Sequence, residues 1–217
     1  MLRNPTTSMA SSNSSKILDL MHKQLRKSLK NIDSLRDAWK VTSSAASSSI
    51  NSLQNVIEQY HCTLRCVQSQ TPDIMLVKRF PDIHKGVQYK LIQEMELLME
   101  KLGSAIDELQ AIHSKVHQQY INSVTVYKKN AEYLPLDKIT TGTATWPPIA
   151  DILEWLKDLD SLFSFLYENQ RQVLATVDYE NEELMQNLSK NWNKGYKETE
   201  ESLENVLAHV SFFMADG

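Results

Sequence analysis

The sequence predicts an all-α fold, a bundle of long antiparallel helices behind a disordered Ser-rich N-terminal tail. Three observations predict it. Apolar residues recur at spacings of three and four over long stretches, the period of a helix with one buried face. Five Gly and six Pro in 217 residues are too few for the many tight turns of an all-β fold. No signature repeats at a period of about 20 to 50 residues, so a solenoid is not indicated. Hydrophobic residues make up 41 % of the chain, enough for a core. The length suits a tail at 1–15 followed by one helical domain at 16–217, with its main connection near 134–148.

The first segment, MLRNPTTSMASSNSS, has one Arg and no acid, and it lacks the apolar centre of a secretory signal. A disordered Ser/Thr tail is expected there. Ser15 is the expected N-cap of a helix whose stripe is Ile17, Leu20, Met21, Leu25, Leu29, Ile32, Leu35 and Trp39. VTSSAASSS (41–49) reads as a linker or a weak continuation of the helix, and its small side chains suggest a bend. Helical spacing resumes through Leu53, Val56, Ile57, Tyr60, Leu64 and Val67. Thr71-Pro72-Asp73 is a helix-start signal, because Pro costs nothing at the first helical position. Pro81 disfavours helical geometry at Phe80. Phe80-Pro81-Asp82 is therefore expected to form a fixed corner with Phe80 inserted between helices.

A long helix is predicted from about His84 to Asn130, with Gly103 marking a kink or a close approach. LPLDKITTGTATWPP (134–148) holds three Pro and one Gly and is the clearest connection. The helix after it, to about Val177, has Pro147 and Pro148 in its first turn, with Asp151 and Glu154 favouring the positive end of its dipole. YENEE (179–183) reads as a charged helix start with Asp178 as N-cap. A last helical pair has a break near Asn193 to Tyr196.

Chemistry-bearing patterns are few. The formal charge of −4 and the lack of a long basic block exclude a nucleic-acid surface as the default reading. No run of about 20 apolar residues exists to span a membrane. Cys62 and Cys66 lie four apart, an awkward geometry for a disulfide within one helix, and are expected to be half-buried thiols in a reducing compartment. His113 and His117 have the spacing at which two imidazoles share a zinc, but no third ligand and no HExxH pattern accompany them. Glu94, Glu96 and Glu100 read as a solvated face. GxSxG and phosphate-cradling loops are absent. Neither catalysis nor a metal or cofactor is expected.

An apolar excess is left over. In TWPPIADILEWLKDLDSLFSFL (145–166), Ile149, Ile152, Leu153, Leu156, Leu159, Phe163 and Leu166 make one face. Trp155, Leu162 and Phe165 add a second row, which either fills a wide core or contacts another protein. Phe212 and Phe213, close to the C-terminus, are either docked into the bundle or offered to a partner.

Three segments together resemble a known family: VKRFPDIHKGVQYKLIQEMELLMEKLGSAI (77–106), PIADILEWLKDLDSLF (148–163) and HVSFFM (209–214). The matching residues are Phe80-Pro81-Asp82, then Ala150, Asp151, Leu153, Glu154 and Trp155, then Val210-Ser211-Phe212-Phe213. They are similar in order and spacing to the AIRIM family of ribosome maturation factors associated with SPATA-type AAA ATPases. The resemblance covers most of the chain from about residue 17 and leaves the Ser-rich start and 41–49 unmatched.

The resemblance implies a non-catalytic adaptor subunit. Its implied partners are SPATA-type AAA ATPases and the cyclin-dependent-kinase-two-interacting protein. Pre-60S particles would be reached indirectly, with no direct nucleic-acid contact and no membrane. It further implies action in the cytoplasm and nucleus, with a link to replisome protein turnover. The expected interface or its support is Phe80, Pro81, Asp82, Trp155, Leu162, Phe165, Phe212 and Phe213. A self-associating coiled-coil tether is the competing reading; the corner at Pro81 and the mixed three/four spacing speak against it.

Overall fold

The structure, a computed structural model, describes residues 5–68, 79–143 and 146–215, with side chains at 14–67, 79–137, 139–143 and 146–215. Helix α1 (Pro5–Gln68) is followed by α2 (Ile83–Asn130), a 3₁₀ turn (Ala131–Tyr133), α3 (Leu136–Thr140) and α4 (Ile149–Ala175). Then come α5 (Glu182–Gln186), α6 (Leu188–Trp192), α7 (Tyr196–His209) and α8 (Ser211–Ala215). No strand occurs among the described residues, so the fold is all-α as expected. The helix-start signal at Thr71-Pro72-Asp73 lies outside the described residues.

α1 is helical from Pro5, ahead of the start expected near Ser15, and through 41–49 it follows the second of the two readings, a continuation of the helix. Ser48, Ser49 and Ser52 each donate their hydroxyl to the carbonyl four residues back, which keeps these polar side chains inside the helical pattern. Ser43 and Ala46 are buried, and the Gln170 amide donates to Ser43 Oγ at 3.1 Å. The small side chains at Ser43 and Ala46 thus serve close packing.

The chain divides into two units. The first comprises Met1–Trp39, Ala111–Leu166 and Lys197–Gly217. Here α1 and α2 run antiparallel: Ser14 Oγ donates to the Tyr133 carbonyl, whereas Ser28, further along α1, meets Gln119 and Ser123, earlier on α2. The apolar stripe of α1, Met21, Leu25, Leu29, Ile32 and Trp39, is buried with Ile112 and Val116 of α2. α4 adds Ile149, Ile152, Leu156, Leu159, Phe163 and Leu166; α7 adds Leu203 and Leu207. Each such side chain contributes about 1.5–3 kcal/mol on leaving water. Trp39 meets Phe163 edge-on at 5.2 Å between ring centroids, the arrangement that aromatic quadrupoles favour.

The second unit comprises Lys40–Gln110 and Tyr167–Tyr196. Its core draws Ile50, Leu53 and Ile57 from α1 and Met95, Leu102 and Leu109 from α2, with Met185, Leu188 and Trp192 from α5 and α6. The 179–193 segment runs antiparallel to α1, since His61 meets the Tyr179 carbonyl, Gln54 meets Gln186, and Ser47 meets Asn193. The cap of α5 is Asn181, whose side chain accepts from the Leu184 amide. Asp178, the expected cap, instead accepts from the Glu180 amide in the turn before it. The break expected near Asn193 is present, and Gly195 at φ 74 makes it, in a region that glycine enters without cost.

Two further expectations are corrected in this unit. Cys62 and Cys66 are exposed rather than half-buried, and the Arg65 guanidinium donates to Cys62 Sγ at 3.1 Å. An added Cβ at Gly103 would meet nothing within 4 Å, so this glycine marks no close approach.

Candidate interaction surface

α4 is amphipathic with an excess. Its inward face, from Ile149 to Leu166, is fully committed to the core of the first unit. Trp155 and Leu162, seven residues apart and so nearly in line along the helix, are half-buried, and Phe165 is 53 % exposed. The second row therefore lies at the edge of the core and opens to solvent at Phe165.

Trp155 is held by a contact that sequence reasoning missed. Its ring stacks on His209, the last residue of α7, with centroids 6.0 Å apart and planes 15° from parallel. No spacing rule could have found this, because the two residues come from helices distant in sequence.

Beside Phe165 lies a depression of about 560 Å3 lined by His113, His117, Asp160, Ser161 and Ser164. The two histidines on α2 converge on one carboxylate: His117 Nδ1 lies 2.9 Å from Asp160 Oδ2, and His113 Nε2 lies 4.0 Å from Oδ1. Their shared face thus serves a polar cluster. Among the described residues no group of three or more His, Cys, Asp or Glu is arranged to hold a metal.

The two terminal phenylalanines have opposite fates. Phe213 is 1 % exposed, and its carbonyl accepts from Arg26 Nε at 2.8 Å. Its ring lies 5.9 Å from Trp146 and 6.0 Å from His22. Phe213 thus docks the last helix, the first of the two alternatives left open by the sequence, and can serve the expected interface only as its support. Phe212 is 69 % exposed.

Phe80 is also corrected. It is 53 % exposed rather than inserted between helices. The corner itself forms: the Ile83 amide donates to the Phe80 carbonyl and the Gly86 amide to that of Asp82. The Arg79 guanidinium lies 5.9 Å from the Phe80 ring centroid, and with Pro81 and Asp82 these residues line a shallow depression. Phe80, Pro81 and Asp82 belong to the second unit, whereas Trp155, Leu162, Phe165, Phe212 and Phe213 belong to the first.

The chain matches a family model described as "Ribosome biogenesis protein C1orf109-like" over residues 19–212. The chain belongs to the C1orf109-like family. Among its relatives is the AFG2-interacting ribosome maturation factor of Xenopus tropicalis, 29 % identical over 196 residues that make up 89 % of this chain and 94 % of the relative. The factor of the same name from Mus musculus is 24 % identical over 199 residues, 91 % of this chain and 90 % of the relative. That of Homo sapiens is 23 % identical over 194 residues, 88 % and 94 % of the two chains. The C1orf109-like match spans α4 with both its rows and ends at Phe212. Among the described residues of this C1orf109-like chain, no helix is long and apolar enough to cross a membrane.

Proposed function

We propose that this chain acts in ribosome maturation as a non-catalytic adaptor subunit of a AAA ATPase assembly, working on pre-60S particles in the cytoplasm and nucleus. The observation that carries the reading is the second row of α4, where Phe165 stands 53 % exposed beside half-buried Trp155 and Leu162. Aromatic side chains are enriched at the centres of protein interfaces. Support for the ATPase comes from the relatives, which are named as AFG2-interacting. The sequence resemblance adds the SPATA-type ATPases, the cyclin-dependent-kinase-two-interacting protein and a link to replisome protein turnover.

On this reading the ATP chemistry belongs to the partner, and this chain supplies rigid helices and an apolar contact. Phe212 is the second contact, and Phe213 fixes the helix that presents it. The test is reconstitution with the ATPase and the cyclin-dependent-kinase-two-interacting protein, comparing wild type with Phe165→Asp and Leu162→Asp. Phe165→Asp is the cleaner variant, because an exposed ring can be replaced without opening the core. It should keep the helical circular-dichroism spectrum and lose partner binding. Full binding by a folded Phe165→Asp protein would remove this surface from the account.

A further inference from the structure

α1 carries a second feature, independent of the apolar row. Asp19, Lys23, Lys27 and Lys30 follow one another at helical spacing, with His22 and Arg26 alongside, around a depression of about 570 Å3 that Trp146 closes. One acid therefore faces Lys23, Arg26, Lys27 and Lys30, in a chain whose formal net charge is −4. This is a local reversal of sign against the background of the molecule, and such patches steer oppositely charged partners.

The inner wall is a built structure. His22 is 9 % exposed, and its Nδ1 has no hydrogen-bond partner among the described residues. Arg26 donates Nε to the Phe213 carbonyl, and its Nη2 is sealed from solvent with no hydrogen-bond partner among the described residues. The guanidinium lies 5.2 Å from the Trp146 ring centroid and 5.1 Å from that of Phe213. Arg26 is thus committed to holding Trp146 and Phe213, and the exposed ammonium groups of Lys23, Lys27 and Lys30 face the depression. An excess of positive charge takes an anion, and carboxylates pair with ammonium groups in charge-assisted hydrogen bonds.

The aromatic surroundings distinguish between classes of anion. Trp146 already has Arg26 over its ring, His22 edge-on at 4.5 Å and Phe213 at 5.9 Å. A nucleobase needs a free aromatic platform to stack on, and these contacts compete for this ring. We propose that the depression docks an acidic segment of a partner protein, with its Asp and Glu carboxylates on Lys23, Lys27 and Lys30. The exposed lysines supply attraction, and their spacing along α1 sets the register of the acids.

Fluorescence anisotropy on the full chain tests this, with a labelled short peptide of Glu and Asp around a single Leu as probe. Saturable binding is expected, weakened by added salt. Lys23→Glu/Lys27→Glu should weaken it by about tenfold or more. Lys90→Glu/Lys101→Glu makes the same charge change at exposed positions of α2 and should leave binding unaltered. Circular dichroism verifies that each variant folds. Absence of saturable binding overturns the proposal. Equal loss in both lysine pairs does so as well, because it would show undirected charge attraction. An oligouridine that binds more tightly than the peptide through the same lysines would overturn it in favour of an RNA surface.

Discussion

At the residue scale, the site around Arg26 makes His22 a sensor of acid. Burial holds the imidazole below its ordinary value of 6.5, the nearby Arg26 charge adds to that, and Asp19 opposes it weakly. The depressed folded value means that the neutral ring contributes stability above the unfolded value near 6.5. That contribution is lost as pH falls through the folded value. Thermal melts should therefore show stability falling from pH 7 to pH 5, with a shallower fall in His22→Gln. A parallel fall in both proteins would place the acid sensitivity elsewhere. Glycines make a second residue-scale test. A Cβ at Gly142 would lie 2.6 Å from Pro148 Cδ and 2.8 Å from the Trp146 carbonyl oxygen, so Gly142→Ala should cost about 1–3 kcal/mol in urea unfolding. Gly103 sits in open space within α2, so Gly103→Ala should stabilise by about 0.4–1 kcal/mol. The sequence could not separate these two glycines, nor Phe212 from Phe213. Neighbouring residues in a helix differ by about 100° in direction, and only the packing partner, here Trp146 with Arg26, decides which one turns inward.

At the element scale, helical periodicity made α2 and α4 legible almost to their ends, because one apolar stripe persisted through each. The predicted span His84–Asn130 became Ile83–Asn130, and the helix expected to Val177 ended at Ala175. The 41–49 run was illegible for the opposite reason. It has no apolar stripe, and its fate depended on a neighbour near enough to pack on Ser43 and Ala46. Ala46→Leu should therefore destabilise by about 1–3 kcal/mol in urea unfolding, whereas Ala45→Leu at the adjacent exposed position should change stability little. Equal effects would mean that this stretch of α1 is not seated as described. The second row of α4 was half legible. Its spacing was plain, but whether it filled a core or met solvent turned on α7, whose His209 covers Trp155 and leaves Phe165 open.

For the whole molecule, the family match over residues 19–212 sets the biological context, and the exposed end of the second row suggests how the chain takes part in it. Phe80 shows where the reading of the Pro81 turn outran the geometry. The corner motif was recognised correctly, but its ring faces solvent beside Arg79 instead of wedging helices apart. Burial of a single aromatic cannot be read from a turn motif, since the turn fixes the backbone and leaves the side chain's neighbours open. The central claim is that this chain joins a AAA ATPase assembly through the apolar surface at Phe165. Affinity purification of the tagged chain from its own cells, with the folded Phe165→Asp variant alongside, tests it most directly. The account predicts that the wild type recovers a AAA ATPase and a second small helical protein, and that the variant loses them. Recovery of the chain with itself alone, or of the full assembly by both proteins, would contradict it.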